Sequence, residues 1–593
     1  MIRCQCGRAR AVRRAVALWR QSALDDGARA MMIVPAQLTL QAERDYLDKL
    51  GLKGSFDIQV YSPQRLFNGI FARAGETGLA RLDDKGRVML AHMASLECEK
   101  ELKWYQSAVS KPSFAGKLAA QIASFKQAEL SPDDVLSMST GGDMALDKKL
   151  EDLSKLYAAY ERLLEGRFMD AEDEIREAIA RMGDAGFIDG CRALVYGFDL
   201  LSPSINRLIV GLDGHAASVD VCIVSEENPN ARDYQAFIPV NRTIDMLISY
   251  ARSNGVVCHT ESLTEPPRPK EGGIAFLERE LCCLPPRRCE GRVTDVQTAV
   301  LPNPQAEAEF VACVIRRLCR MKGWRYRDFA IALADDGEYA RDALSRAFTR
   351  AGIPLFLASG RPADRHGLAR ALLSAIRAAS RGWRAADMID YLRSGFSGLD
   401  DNECDIIVNY AISTNMRGKR WQNPIDDEKL ESIRQRAVKP ISDMAKAVKD
   451  APDTKGRLEA LFMFLESIQA VKTLEKQRQA LEQSHMREWA MEGGQVWNRI
   501  IEALDQMYEI MPARGVRLST IYDCLSRSLA QSDVKALPQS ADAVESGAVE
   551  HLRGKPVKAL IITGAVETAE ARGEGLLDET DAARLGDGAK KLM

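Results

Sequence analysis

The stretch Cys4–Trp19, CQCGRARAVRRAVALW, decides how this chain is read. A short strand over residues 1–6 and a tight turn lead into a helix. That helix has apolar residues at Val12, Val16, Trp19 and Ala23, a helical spacing. Strand, turn and helix form the frame of a phosphate-binding loop, which reads G-x-x-x-x-G-K-[ST]. Its glycines let backbone N–H groups wrap the phosphates, its Lys reaches the outer phosphates, and its hydroxyl holds Mg²⁺. On that frame Gly7 keeps the first glycine position, but Val12 takes the second, Arg13 stands at the Lys and Arg14 at the hydroxyl. Arg10 and Val12 carry side chains where backbone must approach phosphate closely. Arg14 offers no ligand to a cation, and Arg13 keeps its charge as a bulky fork. The second half of such a site is a carboxylate at the end of a buried strand. In ALVYGFD, Tyr196 takes that place and Asp199 lies beyond it. Gly7, Arg13 and Arg14 therefore read as a degenerate remnant of a nucleotide site. The chain is expected to hold no catalytic residue, no metal site and no cofactor of its own. Weak anion binding by Arg13 and Arg14 at the helix start and a plain solvated basic face are both open readings.

Outward from this stretch, Met31–Val34 is strand-like and Pro35 ends it, completing a β-α-β opening. From about Val60 to Gly186 the pattern is helical, as in LEDLSKLYAAYERLLEG. Strands return at Arg192–Phe198 and Ser218–Val224, with the helix SINRLIVGL between them. The Pro- and Gly-rich Thr264–Gly273 reads as a linker. A second α/β pattern comes next, with a strand at Asp295–Leu301, a helix from Gln305 to about Met321 and a strand at Phe329–Leu333. Residues from about Arg361 to Gln531 are helical, and Val557–Ala565 is strand-like. The fold class is α/β. Residues 1–59 and 186–263 form a first lobe, with residues 60–185 as its helical insertion. Residues 264–291 are a linker. Residues 292–360 and 553–593 form an incomplete second lobe, with residues 361–552 as its helical insertion.

The bulk numbers fit. With 593 residues, 46% hydrophobic and 28% charged, the chain exceeds what one core serves, and several soluble domains are expected. No apolar run reaches the roughly 18 residues of a membrane span. The net charge of −3 leaves any nucleic-acid surface to a local patch. Thirteen scattered cysteines and the lack of a secretory apolar region point to a reducing cytoplasm. Six arginines in the first 24 residues imitate a transit peptide, but a buried-strand pattern comes directly after them, so the segment reads as fold.

One local patch stands out. Arg316, Arg317, Arg320, Lys322, Arg325 and Arg327 are interleaved with Trp324 and Tyr326, which suits a single-stranded backbone and its bases. The competing reading is cations at a helix C-terminus, with aromatics covering the next strand. MRGKRW (Met416–Trp421) is a shorter basic-aromatic spot. Cys282, Cys283 and Cys289 lack zinc-pair spacing and a nearby His, Cys4 and Cys6 have no second pair, and the six histidines are dispersed.

An ordered set of phrases carries a resemblance. CGRA opening a helix is followed by IVPAQLTLQAERDYL, VYSPQRLF and VYGFDLLSPSINRLI. NPQAEAEFVACVIRRL, WRYRDFAIAL, AGIPLF, DIIVNYAISTNMRGKRWQ and GAVETAEARGEGLLDETD come after them. This resembles the AddB family, one component of the bacterial AddAB helicase–nuclease, over nearly the whole chain. The resemblance implies a superfamily 1 helicase architecture: two RecA-like lobes with parallel sheets, each carrying a large helical insertion. It implies an AddA-type partner in a heterodimer, with ATP and Mg on that partner. It also implies DNA as ligand, mainly single-stranded, and a role in processing double-strand breaks for homologous recombination. Pro35, Gln37 and Thr39, after the first-lobe strand, and Arg65 in SPQRL match the region where related helicases contact DNA. Glu43, Glu307 and Glu309 match acids of family motifs. The chain departs from the pattern at the phosphate loop. It is about half the family's length, it lacks the nuclease signature G-x-x-D-R-x-D, and the family's iron–sulfur cysteines would lie beyond residue 593, so no cluster is expected here. A truncated, split or decayed subunit is expected, one that binds DNA without its own ATPase or nuclease. A residual ATP-binding helicase subunit and a scaffold without DNA contact are the alternatives.

Overall fold

The computed structural model of the chain describes residues 2–4, 8–27, 29–50, 58–109, 111, 113–139, 143–264, 272–334, 337–358, 360–484, 490–511, 515–534, 542–552, 557–566, 575–577, 581 and 584. Its first unit opens with β1 (Ile2–Cys4), α1 (Arg8–Asp25), β2 (Ala30–Ile33), α2 (Thr39–Leu50), β3 (Ile58–Tyr61) and α3 (Pro63–Ala74). A helical block comes next: β4 (Ala80–Arg81), α4 (Asp84–Cys98), α5 (Phe114–Gln127), α6 (Pro132–Ser137), α7 (Met144–Leu164), β5 (Phe168–Met169), α8 (Ala171–Ala180) and α9 (Met182–Ala185). The chain then returns through β6 (Arg192–Tyr196), α10 (Pro203–Asp213), β7 (Ser218–Val224), α11 (Ile238–Ser253) and β8 (Glu261–Leu263).

Six of these strands form one parallel sheet in the order β3-β2-β6-β7-β1-β8. Parallel strands joined by helices are covered on both faces and read as unbroken apolar runs. In β2, AMMI, all four residues are buried. Met31 and Ile33 face one side with Ala193, Val195, Val221 and Ile223, under helices α3, α10 and α11. Met32 faces the other side with Leu194 and Cys222, under Ala11, Ala15 and Trp19 of α1. Trp19 Nε1 donates to Asp220 Oδ2 at 2.8 Å, tying α1 to β7.

The second unit contains α12 (Gly273–Glu280), α13 (Pro304–Lys322), β9 (Phe329–Leu333), α14 (Glu338–Ala351), β10 (Leu355–Leu357) and the short antiparallel pair β11 (Arg361–Pro362) and β12 (Asp533–Val534). It closes with β13 (Val544–Gly547) and β14 (Ala559–Thr563). Its parallel sheet has the order β10-β13-β9-β14. The helix expected after Gln305 is bounded by its own caps. Asn303 accepts from Ala306 N at 2.9 Å, Pro304 sits in the first turn, and Gly323 closes the end at φ 65°.

Several expectations need correction. β3 carries the first lobe two residues past its expected end at residue 59, because IQVY pairs with β2 from Ala30↔Ile58 to Ile33↔Tyr61. The expected linker 264–291 contains helix α12, whose first turn donates from Gly273 N and Ile274 N to the Asp295 carboxylate at 2.8 and 3.0 Å. Asp295–Leu301 is no strand: among the described residues its backbone pairs with no strand, and most of it is exposed, Val300 fully. Alternating polarity alone does not make a strand without a neighbour to pair with. The second sheet takes the chain back at Val544 rather than at residue 553, since β13 lies between β10 and β9.

The two helical blocks are not separate insertions. Leu82–Phe168 of the first and Ala363–Val534 of the second contribute to one continuous apolar core. Gln506 Nε2 donates to Asp83 Oδ1 at 2.9 Å, and Arg167 Nη2 to Glu509 O at 2.7 Å, across their junction. The flanking helices α3, α8 and α9 instead pack on the first sheet, with Leu66, Phe67, Ile175, Ala178 and Met182 in its core.

Candidate functional site

In open parallel sheets, ligands bind beyond the carboxyl ends of the strands. In the first sheet β2 ends at Ile33, β3 at Tyr61 and β6 at Tyr196, with Val34 N donating to Tyr61 O at 2.9 Å. Pro35, Gln37 and Thr39 come after β2, and Arg65 after β3, so these four lie on one edge of the sheet. Gln37 is exposed and Pro35 half-buried. Thr39 is buried, and its hydroxyl donates to Ala36 O at 2.9 Å, fixing the turn. Ser62 caps α3 by accepting from Arg65 N at 3.3 Å, and the exposed Arg65 guanidinium lies 3.8 Å from Glu43. The loop is braced from β6. Gly197 has φ 87°, and a Cβ there would lie 2.8 Å from Leu38 Cδ1 and 3.2 Å from Pro35 Cδ. Only glycine accepts both that backbone and that closeness without strain.

Gly7 lies outside the described residues. Arg13 and Arg14 are exposed in the first turns of α1, while Val12 packs against the core under that helix. The residue at the second glycine position thus has a packing role. At the end of β6, burial pushes the Tyr196 phenol up, and the positive charge of nearby Arg20 pulls the other way. Arg20 is itself buried and donates to Ala42 O at 3.1 Å. A buried phenol beside a guanidinium is a poor match for a magnesium ion, which takes carboxylate, hydroxyl and water oxygens. These residues do not fit a magnesium-nucleotide. Among the described residues no three His, Cys, Asp or Glu side chains form a metal-holding group.

The basic-aromatic patch lies elsewhere, at the amino-terminal edge of the second sheet, where α13 ends and β9 begins. Arg316, Arg317, Arg320, Lys322 and Arg325 are exposed. Trp324 is half-buried, its ring 5.6 Å from that of Phe329, with Lys322 Nζ 4.9 Å and Lys558 Nζ 5.9 Å from its centroid. Lys558 also pairs with Asp328 at 2.8 Å, and Asp328 Oδ2 accepts from Arg325 N at 2.9 Å. The indole is therefore engaged by its own fold, while the arginines face outward. In MRGKRW, Trp421 is wholly buried and stacks on no outside base. Glu307 accepts from Gly564 N at 3.1 Å and Glu309 lies 3.7 Å from Arg350, so both acids join elements of the second unit. Cys282 and Cys289 are exposed thiols, and Cys283 is buried with its Sγ donating to Arg279 O at 3.1 Å. Most of GAVETAEARGEGLLDETD lies outside the described residues. Sequence reading did not single out Arg20 or Lys558. Their partners are remote along the chain, and no local spacing signals them.

Comparison with known proteins gives a consistent likeness. Residues 3–278 match the family model described as "ADDB, N-terminal". The B subunit of the ATP-dependent helicase/deoxyribonuclease of Alkaliphilus metalliredigens is 27% identical over 563 residues, 90% of this chain and 49% of the relative. In these comparisons the chain is similar to AddB-type proteins. The proteins of the same name from Alkaliphilus oremlandii and Bacillus mycoides are each 27% identical, covering 90% and 94% of this chain and 49% and 51% of their own lengths. The chain spans about half the length of the curated relatives it matches. Among the described residues no helix is long and apolar enough to cross a membrane.

Proposed function

We propose that this chain serves as a DNA-guiding, helicase-like subunit of an ATP-dependent helicase/deoxyribonuclease acting at double-strand breaks. In this reading its two parallel sheets are the cores of two RecA-like lobes. An AddA-type motor in the cytoplasm supplies ATP hydrolysis with its Mg²⁺, and this chain holds single-stranded DNA. The Pro35–Thr39 turn and Arg65 sit where a strand crosses the carboxyl edge of the first sheet. Arg316, Arg317, Arg320 and Lys322 add phosphate contacts, with Arg13 and Arg14 as a weak anion site. The observation that carries the reading is the match to helicase/deoxyribonuclease relatives along 90% of the chain, joined to a first parallel sheet whose β6 ends in Tyr196 rather than a carboxylate.

The test is binding of the purified chain to single-stranded DNA and to nucleotide. Salt-dependent DNA binding is expected, with no saturable Mg²⁺-dependent ATP binding. Replacing Arg316, Arg317 and Arg320 together by Ala should lower affinity alike for all sequences and flatten the salt slope by about 2. An unchanged slope assigns that patch to the fold. Magnesium-dependent ATP binding lost on Arg13→Ala would restore the residual-motor reading.

A further inference from the structure

A cavity that the proposed function does not use lies at the junction of the two helical blocks. Lys85, Val88, Met89 and His92 of α4 line one side of it. Cys524, Arg527 and Ser528 of the helix Leu518–Ala530, with Gln531 at its end, line the other. Both sets have the spacing i, i+3, i+4, i+7 of a single helix face. Such positions at a packed seam are ordinarily apolar, yet five of these eight are polar. The cavity has about 220 Å³ of empty space, part of it open to solvent. That is below the roughly 300–1,000 Å³ of pockets that take drug-sized ligands, so its match is a small ion.

The charge of the lining has one sign. Lys85 and Arg527 bring two cations, and among the described residues no carboxylate lines the cavity. The Lys85 side chain is only 18% exposed and meets Asp83 Oδ2 at 3.9 Å. Arg527 is half-buried and acts on the Asp523 carboxyl, which does not line the cavity. Ser528 is 3% exposed, and its hydroxyl has no hydrogen-bond partner among the described residues. A helical serine can donate to the carbonyl four residues back, as Ser95 of α4 does to Ala91 O at 2.6 Å. Ser528 does not, and a buried hydroxyl left unpaired is costly. Burial and the charge of Arg527 hold the His92 ring neutral, so it offers one N–H donor.

We propose that this cavity binds one free tetrahedral oxyanion, phosphate or sulfate, whose oxygens accept from Ser528 Oγ, Arg527, Lys85 and His92. Hydrogen bonds from cations to an oxyanion are shorter and stronger than neutral ones. The ion draws α4 of the first block and Leu518–Ala530 of the second to one centre, so its binding braces the junction between the blocks. The proposal depends neither on DNA binding nor on the likeness to helicase subunits.

The test is calorimetric titration of sodium phosphate and of sodium sulfate into the purified full chain, with sodium chloride at matched ionic strength as the blank. Saturable one-to-one binding is expected, with a matching rise in melting temperature. Both ions strengthen any fold by exclusion from its surface, so the effect that counts is the one the variants lose. Ser528→Ala removes an unpaired buried hydroxyl, so the ion-free chain should be at least as stable, while ion affinity falls about tenfold. Arg527→Gln should lower affinity about 10- to 100-fold with unchanged circular dichroism. A 5′-phosphorylated oligonucleotide should not displace the ion. Absence of saturable binding at millimolar phosphate and sulfate overturns the proposal, and so does binding indifferent to both substitutions. Displacement by the oligonucleotide overturns it as well, since the phosphate would then belong to a strand end.

Discussion

Removing the ammonium of Lys126 should cost this fold more than any surface ion pair does. Lys126 leaves α5 with its side chain only 2% exposed and reaches Asp170 at 2.7 Å, Asp173 at 2.8 Å and Glu161 at 3.2 Å. Asp170 caps α8 by accepting from Glu172 N and Asp173 N, and it also accepts from Tyr160 Oη at 3.2 Å. The network thus joins α5 and α7 of the helical block to α8, which packs on the first sheet. Lys126→Met keeps the apolar stem and strands three carboxylates around it. Breaking a buried pair by losing one partner costs about 3–5 kcal/mol, against about 0–1 for a surface pair. Asp170 is nearly as buried as Lys126, but Asp173 and Glu161 are 21% and 37% exposed and keep some water. The lower end, about 3 kcal/mol, is therefore expected.

The pH dependence checks the cause. Burial opposes the Lys126 charge, but Asp170, Glu161 and Asp173 outweigh it and raise the amine above 10.5. Its stabilising part is thus complete below about pH 10 and lost only in stronger alkali. Burial and the neighbouring acids raise the Asp173 and Glu161 carboxyls. Without the ammonium they rise further, and the variant recovers as they protonate. The deficit should be largest near about pH 8 and shrink toward about pH 5. Urea unfolding combined with hydrogen exchange at α5 and α8 reads both quantities. A loss under about 1 kcal/mol, or a deficit that grows on acidification, refutes the reasoning.

Three further outcomes are expected at single sites. Asp152 is wholly buried and accepts from Lys103 N, Trp104 N and Tyr105 N at 2.7–3.1 Å, so Asp152→Ala should lower unfolding free energy by about 3 kcal/mol and Asp152→Asn by less. Burial lowers His92 and His366 from 6.5 to about 4. The unfolded chain therefore binds those protons first, and stability should fall below about pH 6.5 by up to about 1.4 kcal/mol per unit for each ring. His92→Gln with His366→Asn should flatten that limb in acid titrations read by circular dichroism. Gly197→Ala should cost about 1–2 kcal/mol and displace the Pro35–Thr39 turn. If that turn holds DNA, single-strand affinity falls in a filter-binding assay while the arginine-patch salt slope stays unchanged.

Much of this molecule is written locally. The β-α-β opening, β7 and β9 arise from apolar runs, and α13 from Asn303, Pro304 and Gly323, because burial on both sheet faces and helix capping act over a few residues. The missing phosphate-loop residues, Val12 and Tyr196 were legible for the same reason: side-chain bulk and donor type are properties of single positions. Contact partners were not. Sequence could not pair Tyr196 with Arg20, Trp324 with Lys558, or Glu307 with Gly564, since those partners are brought together by sheet register and helix packing. Nor could it show that DVQTAVL finds no neighbouring strand while VESG does, because a strand exists only by its pairing. The sequence by itself determined that this is an α/β chain with two parallel-sheet units and that its Cys4–Trp19 stretch lacks the second glycine, Lys and hydroxyl of a working phosphate loop. Only the tertiary structure decided that its two helical blocks share one core and that β14 is left with a bare face, because which surfaces are buried depends on what the rest of the chain lays against them.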